Sequence, residues 1–291
     1  ALRGAGGRVG QLIANTWANS NSPWHSVPLQ YRNPQTISHS RNIFWDVFEG
    51  PKGLLEWMDK FGDLDALVVM AGVTPATSAD MTLNSEIASA YLDAARVAGI
   101  KRVLLPSSSA VYGFGDGSPM RETHICEPVN SYGKSKLDME NMARQVAVDA
   151  NIEVCCLRIG NIAGADALLL NAPNATPETP LIIDRFPDGL GPLRSYIGPA
   201  QAGEVFAKLA CYQGVLPTVL NVAGTMPIRM EELAIAAALP WRYERAHQTA
   251  HQSITLDCSA LDELITMPFG THDPRTITLD WLGAQKNDTP K

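Results

Sequence analysis

The sequence predicts an α/β protein, a doubly wound parallel sheet followed by a smaller, partly interleaved C-terminal region. Three observations predict it. Short apolar runs alternate with helix-period segments from the first residues to about residue 222, the pattern of repeated βαβ units. A glycine cluster, Gly4-x-x-Gly7-x-x-Gly10, falls at the first strand-to-helix junction. The 291 residues, 45% hydrophobic and 18% charged, suffice for one large domain or two modest ones with a core of their own.

Taken in order, Ala1-Leu2-Arg3 is the end of a first strand, and the glycine turn leads into a helix that runs to about Asn19. Ser26 to Arg32 forms a second strand and Ile43 to Trp45 a short third. Leu64 to Ala71 is apolar enough for a strand buried on both faces. Met81 to Val97 is an amphipathic helix with Leu83, Ile87, Tyr91 and Ala94 on one side, and Lys101 to Ser107 is the next strand. Between Ser131 and Ala150, Leu137, Met142 and Val146 recur at helical intervals, and Ile152 to Leu157 is a β-branched and cysteine strand. Adjacent residues of a strand face opposite ways, so Cys155 and Cys156 are read as two separately packed thiols. Asn171 to Pro180, rich in Asn, Pro and Thr, reads as a loop, and beyond Val222 the alternation breaks into short mixed segments. The expected division is a dinucleotide-binding domain over residues 1–158, rejoined by 200–223, and a substrate-binding region made of 159–199 and 224–291.

Charge and cysteine content narrow the function. With 23 Lys and Arg against 30 Asp and Glu, a formal net charge of -7 and no basic run, the chain lacks the phosphate-neutralising surface that nucleic-acid binding needs. Five irregularly spaced cysteines with no CxxC pair are not a disulfide framework, and a reducing, cytoplasmic setting is expected. The longest apolar stretch, Ala66 to Val73, is far below the roughly 20 residues of a membrane span, and the start does not resemble a signal peptide. The chain opens almost directly on its glycine turn, which leaves room for residues ahead of Ala1. His247-Gln248-Thr249-Ala250-His251 imitates a zinc-peptidase helix, but Gln248 replaces the general-base Glu and there is no third ligand, so no metal is expected. His124 and Cys126, ahead of the helix at Ser131, read as incidental loop neighbours.

The chemistry-bearing residues fall at strand ends. In Gly4-Ala5-Gly6-Gly7-Arg8-Val9-Gly10, the glycines let the backbone turn tightly and approach a pyrophosphate at a helix N-terminus, the Rossmann-type arrangement. At the end of the second strand, where an acid would accept a ribose hydroxyl of NAD, stand Tyr31 and Arg32. Arg32 suits a 2′-phosphate, so NADP is favoured over NAD by a small margin. Further along, Ser107-Ser108-Ser109 closes a strand, and Tyr132 and Lys136 share one face of a helix start. A phenol has an ordinary pKa of about 10, and lowering it one unit takes about 1.4 kcal/mol of preferential stabilisation of the phenolate. The Lys136 ammonium one turn away is expected to supply it, with Ser108 bonding the same substrate oxygen.

On these motifs the chain resembles the extended short-chain dehydrogenase/reductase family, the sugar-nucleotide epimerase/dehydratase group that includes UDP-galactose 4-epimerase. The resemblance runs through nearly the whole chain. It includes the glycine turn, Asp46-Val47, Met70-Ala71-Gly72-Val73, Asn84, Ser107 to Gly113, Tyr132-Gly133-Lys134-Ser135-Lys136, Leu157 to Asn161, Arg194-Ser195-Tyr196-Ile197 and Asn221-Val222-Ala223-Gly224. It implies that Asp46 and Val47 contact adenine and that Ala71, Gly72 and Asn84 line the cofactor. By the same likeness, Ser108 meets the substrate hydroxyl, Tyr132 is the acid/base, and Lys136 holds the nicotinamide ribose and lowers the tyrosine pKa. Asn161 and Arg194 match positions that meet a substrate diphosphate, and the guanidinium also suits an anion on physical grounds. A homodimer built on the helices carrying Asn84 and Tyr132 is implied by analogy.

Three departures bear on the reading. The 4,6-dehydratases of the family carry an Asp-Glu pair where this chain has Ser109 and Ala110, which disfavours dehydration. Tyr31-Arg32 departs from the acidic NAD signature, and Gly198-Pro199-Ala200-Gln201 lacks the usual His-x-Asp. The function expected is hydride transfer to or from a secondary carbinol or ketone of a sugar or sugar nucleotide. Epimerisation and net reduction are both open, and Arg32 leans toward the latter. The alternative is a non-catalytic, redox-sensing protein on the same fold, although such proteins typically lose the tyrosine that this chain keeps.

Overall fold

The computed structural model describes residues 2–4, 6–18, 27–32, 42–75 and 79–285. Strand β1 (Leu2–Arg3) leads through the glycine turn into α1 (Arg8–Trp17). Then come β2 (Gln30–Tyr31), β3 (Ile43–Phe44), α2 (Lys52–Phe61), β4 (Ala66–Val69), α3 (Leu83–Val97), β5 (Arg102–Ser108), α4 (Ser131–Ala150) and β6 (Glu153–Ile159). The chain leaves through β7 (Asn161–Ile162), β8 (Leu181–Arg185), β9 (Leu193–Arg194) and β10 (Tyr196–Ile197), and returns with α5 (Pro199–Ala210) and β11 (Val219–Val222). It finishes with β12 (Ile228–Arg229), α6 (Met230–Ala236), β13 (Trp241–Arg245), β14 (Ser253–Ile254), α7 (Ser259–Leu264) and α8 (Pro274–Gln285).

The main sheet is parallel throughout, in the order β1-β4-β5-β6-β11. Strands that are buried on both faces feed two cores. Val68, Leu104, Cys155, Leu157 and Leu220 point to the side of α1 and α5, whereas Leu67, Val69, Val103, Leu105 and Cys156 point to α3 and α4. Cys155 and Cys156 thus serve opposite cores, both as free thiols. β2 and β3 form their own parallel pair beside β1. The expected second strand is shorter than its sequence pattern, Gln30–Tyr31 alone. Its first residue, Ser26, lies outside the described residues, as does Asn19 at the expected end of the first helix.

Helix α2 has no counterpart in the sequence reading, because Leu54 is its one fully buried residue and its other apolar side chains are at most half-buried. On α3 the buried residues are Asn84, Ala88, Tyr91, Leu92, Ala94 and Ala95, which include the expected Tyr91 and Ala94, whereas Leu83 and Ile87 sit at the margin. The stretch read as a loop after Asn171 opens with a 3₁₀ turn, Leu169–Asn174.

A third core joins β8, β10, β12, α6 and α8 through Leu181, Ile183, Tyr196, Ile228, Leu233 and Trp281. α8 also packs on α1 and α5. Asn15 Nδ2 donates to Ala284 O at 3.0 Å, and the Asp280 carboxylate accepts from Ala200 N and Gln201 N at 3.1 Å. Asp280 therefore gives the N-terminus of α5 an acid, and the Gln201 side chain accepts from Gly198 N at 2.9 Å. The segment 247–251 is not helical; His251 instead stacks on Phe114, ring centroids 3.6 Å apart. Among the described residues there is no group of three or more potential metal ligands, and no helix is long and apolar enough to cross a membrane.

Candidate active site

An open cleft of about 310 Å³ lies at the carboxyl ends of the main-sheet strands, where ligands bind in open α/β sheets. Its walls are Val9, residues 70–74, Pro106 to Ser108, Tyr132, Lys136, and residues 159–162 and 165–167.

The glycine turn forms one wall. Gly4 has φ +75°, and a Cβ there would stand 2.5 Å from Ala71 N, so only glycine fits between β1 and β4. Gly7 precedes α1 without a side-chain cap and the first turn carries no acid, which leaves its N–H groups open to an anion. Arg8 is exposed beside them and Gly10 is buried within α1. The tight turn at Gly4 and the uncapped first turn of α1 fit a dinucleotide pyrophosphate. Gly72 completes that wall, because a Cβ there would fall 3.0 Å from Asn84 Oδ1 and 3.2 Å from Lys136 Nζ. Ala71 and Gly72 line the cleft, whereas Asn84 is buried behind it. Its amide accepts from Val73 N at 3.0 Å, donates to Val73 O at 3.2 Å and donates to Ser135 Oγ at 3.0 Å, which fixes the loop rather than presenting itself to a ligand.

At the β2–β3 edge, Arg32 Nε lies 3.3 Å from Asp46 Oδ2, in an exposed pair whose arginine side chain is 70% accessible. Asp46 also accepts from Phe48 N at 3.1 Å. Tyr31 and Val47 are buried; the tyrosine packs with Ala14 and Leu29, and burial raises its pKa. One residue with no assigned role governs this edge. The buried Gln30 side chain accepts from Gly4 N at 3.0 Å and from Tyr91 Oη at 3.1 Å, and donates to Trp45 O. A Gln in a strand otherwise bordered by apolar residues is the signal that could have found it.

β5 and α4 bring Ser108, Tyr132 and Lys136 to the same cleft. Asn130 starts α4 by accepting from Gly133 N at 2.8 Å, and Gly133 itself lies so close to the 3₁₀ turn after β5 that a Cβ would meet Ala110 O at 2.3 Å. Ser108 and Tyr132 line the same cleft, and the serine hydroxyl favours the charged form of the phenol. Lys136 is 4% exposed, donates to Pro106 O at 2.8 Å, and holds its Nζ 5.9 Å from the Tyr132 ring centroid. The expected acidic phenol is not what this arrangement produces by itself. Burial raises the Tyr132 pKa, opposed only by the Ser108 hydroxyl, and burial also pulls Lys136 down to about 8. The lysine is turned toward a backbone carbonyl, and burial of both side chains disfavours their charged forms.

On the substrate side, Asn161 lines the cleft and pairs with Tyr196 in the β7–β10 ladder. Beside it is Asp166, another residue that sequence reasoning passed over. Burial raises its pKa although Gly164 N, Leu168 N, Leu169 N and Tyr196 Oη all donate to its carboxylate. Arg194 is not among the lining residues. Its guanidinium donates to Leu193 O and Gln252 O at 2.8 Å and to His251 O at 2.9 Å, which ties β9 to the segment before β14.

Fold and site together define a dinucleotide-fold protein with a Ser-Tyr-Lys cleft. Residues 2–190 match the model of the NAD dependent epimerase/dehydratase family, and the chain belongs to that family. It is similar to UDP-glucose 4-epimerase of Azospirillum brasilense, 42% identical over 69 residues, and to UDP-glucose 4-epimerase 2 of Oryza sativa subsp. japonica, 33% identical over 137. The matched stretches cover 24% and 44% of this chain and only 20% and 33% of those proteins. The UDP-glucose 4-epimerase from Brucella ovis, solved in complex with NAD, superposes over 95% of both chains with a TM-score of 0.75 at 20% identity, a likeness of fold.

Proposed function

We propose that this chain is a nicotinamide-dependent epimerase acting on a secondary carbinol of a sugar or sugar nucleotide. The observation that carries the proposal is the convergence of Ser108, Tyr132 and Lys136 on one cleft beside the glycine cradle. The 4-epimerase relatives favour return of the hydride over the net reduction that Arg32 suggested. A bound nicotinamide dinucleotide supplies the hydride acceptor and donor, which side chains lack. Gly4, Gly7 and the first turn of α1 would hold its pyrophosphate, and Gly72 and Lys136 its nicotinamide end.

Tyr132 takes the hydroxyl proton of the substrate as the carbinol is oxidised and returns it when the ketone is reduced. Its raised pKa keeps it a phenol until further positive charge enters the cleft. Ser108 bonds the same substrate oxygen, and Lys136, charged at neutral pH, favours the phenolate. Dehydration is disfavoured because Ser109 and Ala110, in the 3₁₀ turn after β5, offer no carboxylate. NADP is accepted at least as well as NAD if the exposed Arg32 guanidinium turns from Asp46 to a 2′-phosphate, which such a weak surface pair permits.

The test is Tyr132→Phe assayed on a panel of nucleotide sugars and free keto sugars with NAD and NADP. Turnover should fall by about 10²- to 10⁴-fold while cofactor binding persists. Wild type and variant that both bind NADPH while neither turns over any substrate would instead support a non-catalytic, cofactor-sensing protein.

A further inference from the structure

Behind the cleft lies a buried ion pair that the proposed reaction does not use. Arg158 of β6 and Glu140 of α4 have side chains 5% and 0% exposed, with Nη2 2.8 Å from Oε2 and Nε 3.0 Å from Oε1. The pair is polarised. Its guanidinium end donates to Tyr112 Oη at 2.9 Å and to Glu122 O at 3.2 Å, on the side where Tyr112 bonds Asn221. Its carboxylate end accepts from the hydroxyl of Ser107, a residue of the cleft wall, and attracts Lys136 one helical turn away.

Two consecutive residues of β5 are therefore held by one face of α4, Pro106 by Lys136 and Ser107 by Glu140, and the next, Ser108, lines the same cleft as Tyr132 of that face. A buried ion pair is weak evidence of stability, since well-packed apolar residues often serve as well. Its polarity toward the cleft is what calls for a role. We propose that Glu140 is a positioning residue of the cleft, seating Ser108 through Ser107 and holding Lys136 by its charge. This rests on Ser108, Tyr132 and Lys136 being the reacting set.

The titratable groups facing Lys136 among the described residues are Tyr132 and Glu140 of its own helix and Cys156 of β6. β5 presents the Pro106 carbonyl, and α3 the Asn84 amide beside Gly72. Burial brings the ammonium to about 8, with Cys156 and Glu140 working against that fall. Without Glu140, Lys136 loses an opposing charge and passes toward its neutral form near pH 7, where it no longer favours a phenolate.

The double variant Glu140→Gln/Arg158→Met removes the pair without burying either charge alone. Its readout is the NMR titration of the Lys136 ε-methylene, assigned by its loss in Lys136→Met, together with the pH profile of kcat. The titration midpoint should fall, and the high-pH limb of kcat should move down with it. Glu140→Asp, which keeps an ion pair, should shift both by less and retain most of the turnover. An unchanged Lys136 midpoint in whichever variant folds overturns the inference. A midpoint that moves in a protein that turns over none of the sugars upholds it and overturns the assigned reaction instead.

Discussion

Asp280 should make the stability of this protein fall as pH rises through about 6. Its carboxylate is buried between α8 and the first turn of α5, and burial raises its pKa from 3.8 to about 6, although Gln201 N and Ala200 N both donate to it. The folded state thus binds a proton that the unfolded state releases between those two values. A raised acid contributes stability that is complete below the unfolded pKa and lost as pH passes the folded one. Two units at about 1.4 kcal/mol each give a total loss of about 3 kcal/mol from well below pH 4 to above pH 7, of which about 2 kcal/mol falls between pH 4.5 and pH 7.5. Asp280→Asn removes this component and keeps one oxygen to accept from α5. Urea unfolding of both proteins at intervals from pH 4.5 to 7.5 isolates it, because Asp166 and Asp262, whose pKa values burial also raises, are common to both. The variant should be the less stable protein at pH 4.5 and gain on the wild type by about 2 kcal/mol across the range. Two stability curves that run parallel would refute the reasoning, since the acid would then be ionised at no expense in its folded site.

Two further outcomes follow from the cofactor wall. Arg32→Ala should weaken NADPH binding more than NADH binding in a fluorescence titration, and equal losses would show that this guanidinium does not read a 2′-phosphate. Gly4→Ala forces a Cβ to within 2.5 Å of Ala71 N at a φ of +75°. It should cost about 1 to 3 kcal/mol in thermal or urea unfolding and abolish dinucleotide binding, which isothermal titration would report.

The parallel sheet was legible because its strands are buried on both sides. Residues 66–69, 102–108 and 153–159 read as short apolar runs, and those runs became β4, β5 and β6. The C-terminal half was not, because its pairing is short and distant. Residues 181–185 pair with 241–245, and the two-residue strand at 193–194 lies between partners at 228–229 and 253–254. A two-residue strand carries no period to detect, and no local pattern reports a partner about 60 residues away. Arg194 shows the consequence. Its type suits an anion, but the distant segment at residues 251–252 engages its guanidinium through backbone carbonyls.

The site was legible in its reactive groups and hidden in what holds them, for the same reason. Apolar periodicity on α4 points to Leu137, Met142 and Val146, all only half-buried, while the buried face is Gly133, Ser135, Lys136, Met139, Glu140 and Ala143. That face carries two charges at zero to four per cent exposure, and it can be buried only because β5, β6 and α3 offer a partner for each polar atom. Charged residues at i and i+4 on a helix usually mark the solvent side. Here the spacing from Tyr132 through Lys136 to Glu140 marks the interior, and the inversion is possible because the serines of β5 stand opposite. Departures from the family pattern obey the same logic. The acid missing from residues 198–201 is restored to the N-terminus of α5 by Asp280 of α8, so a local gap in the sequence is closed by a residue whose nearness only the fold creates.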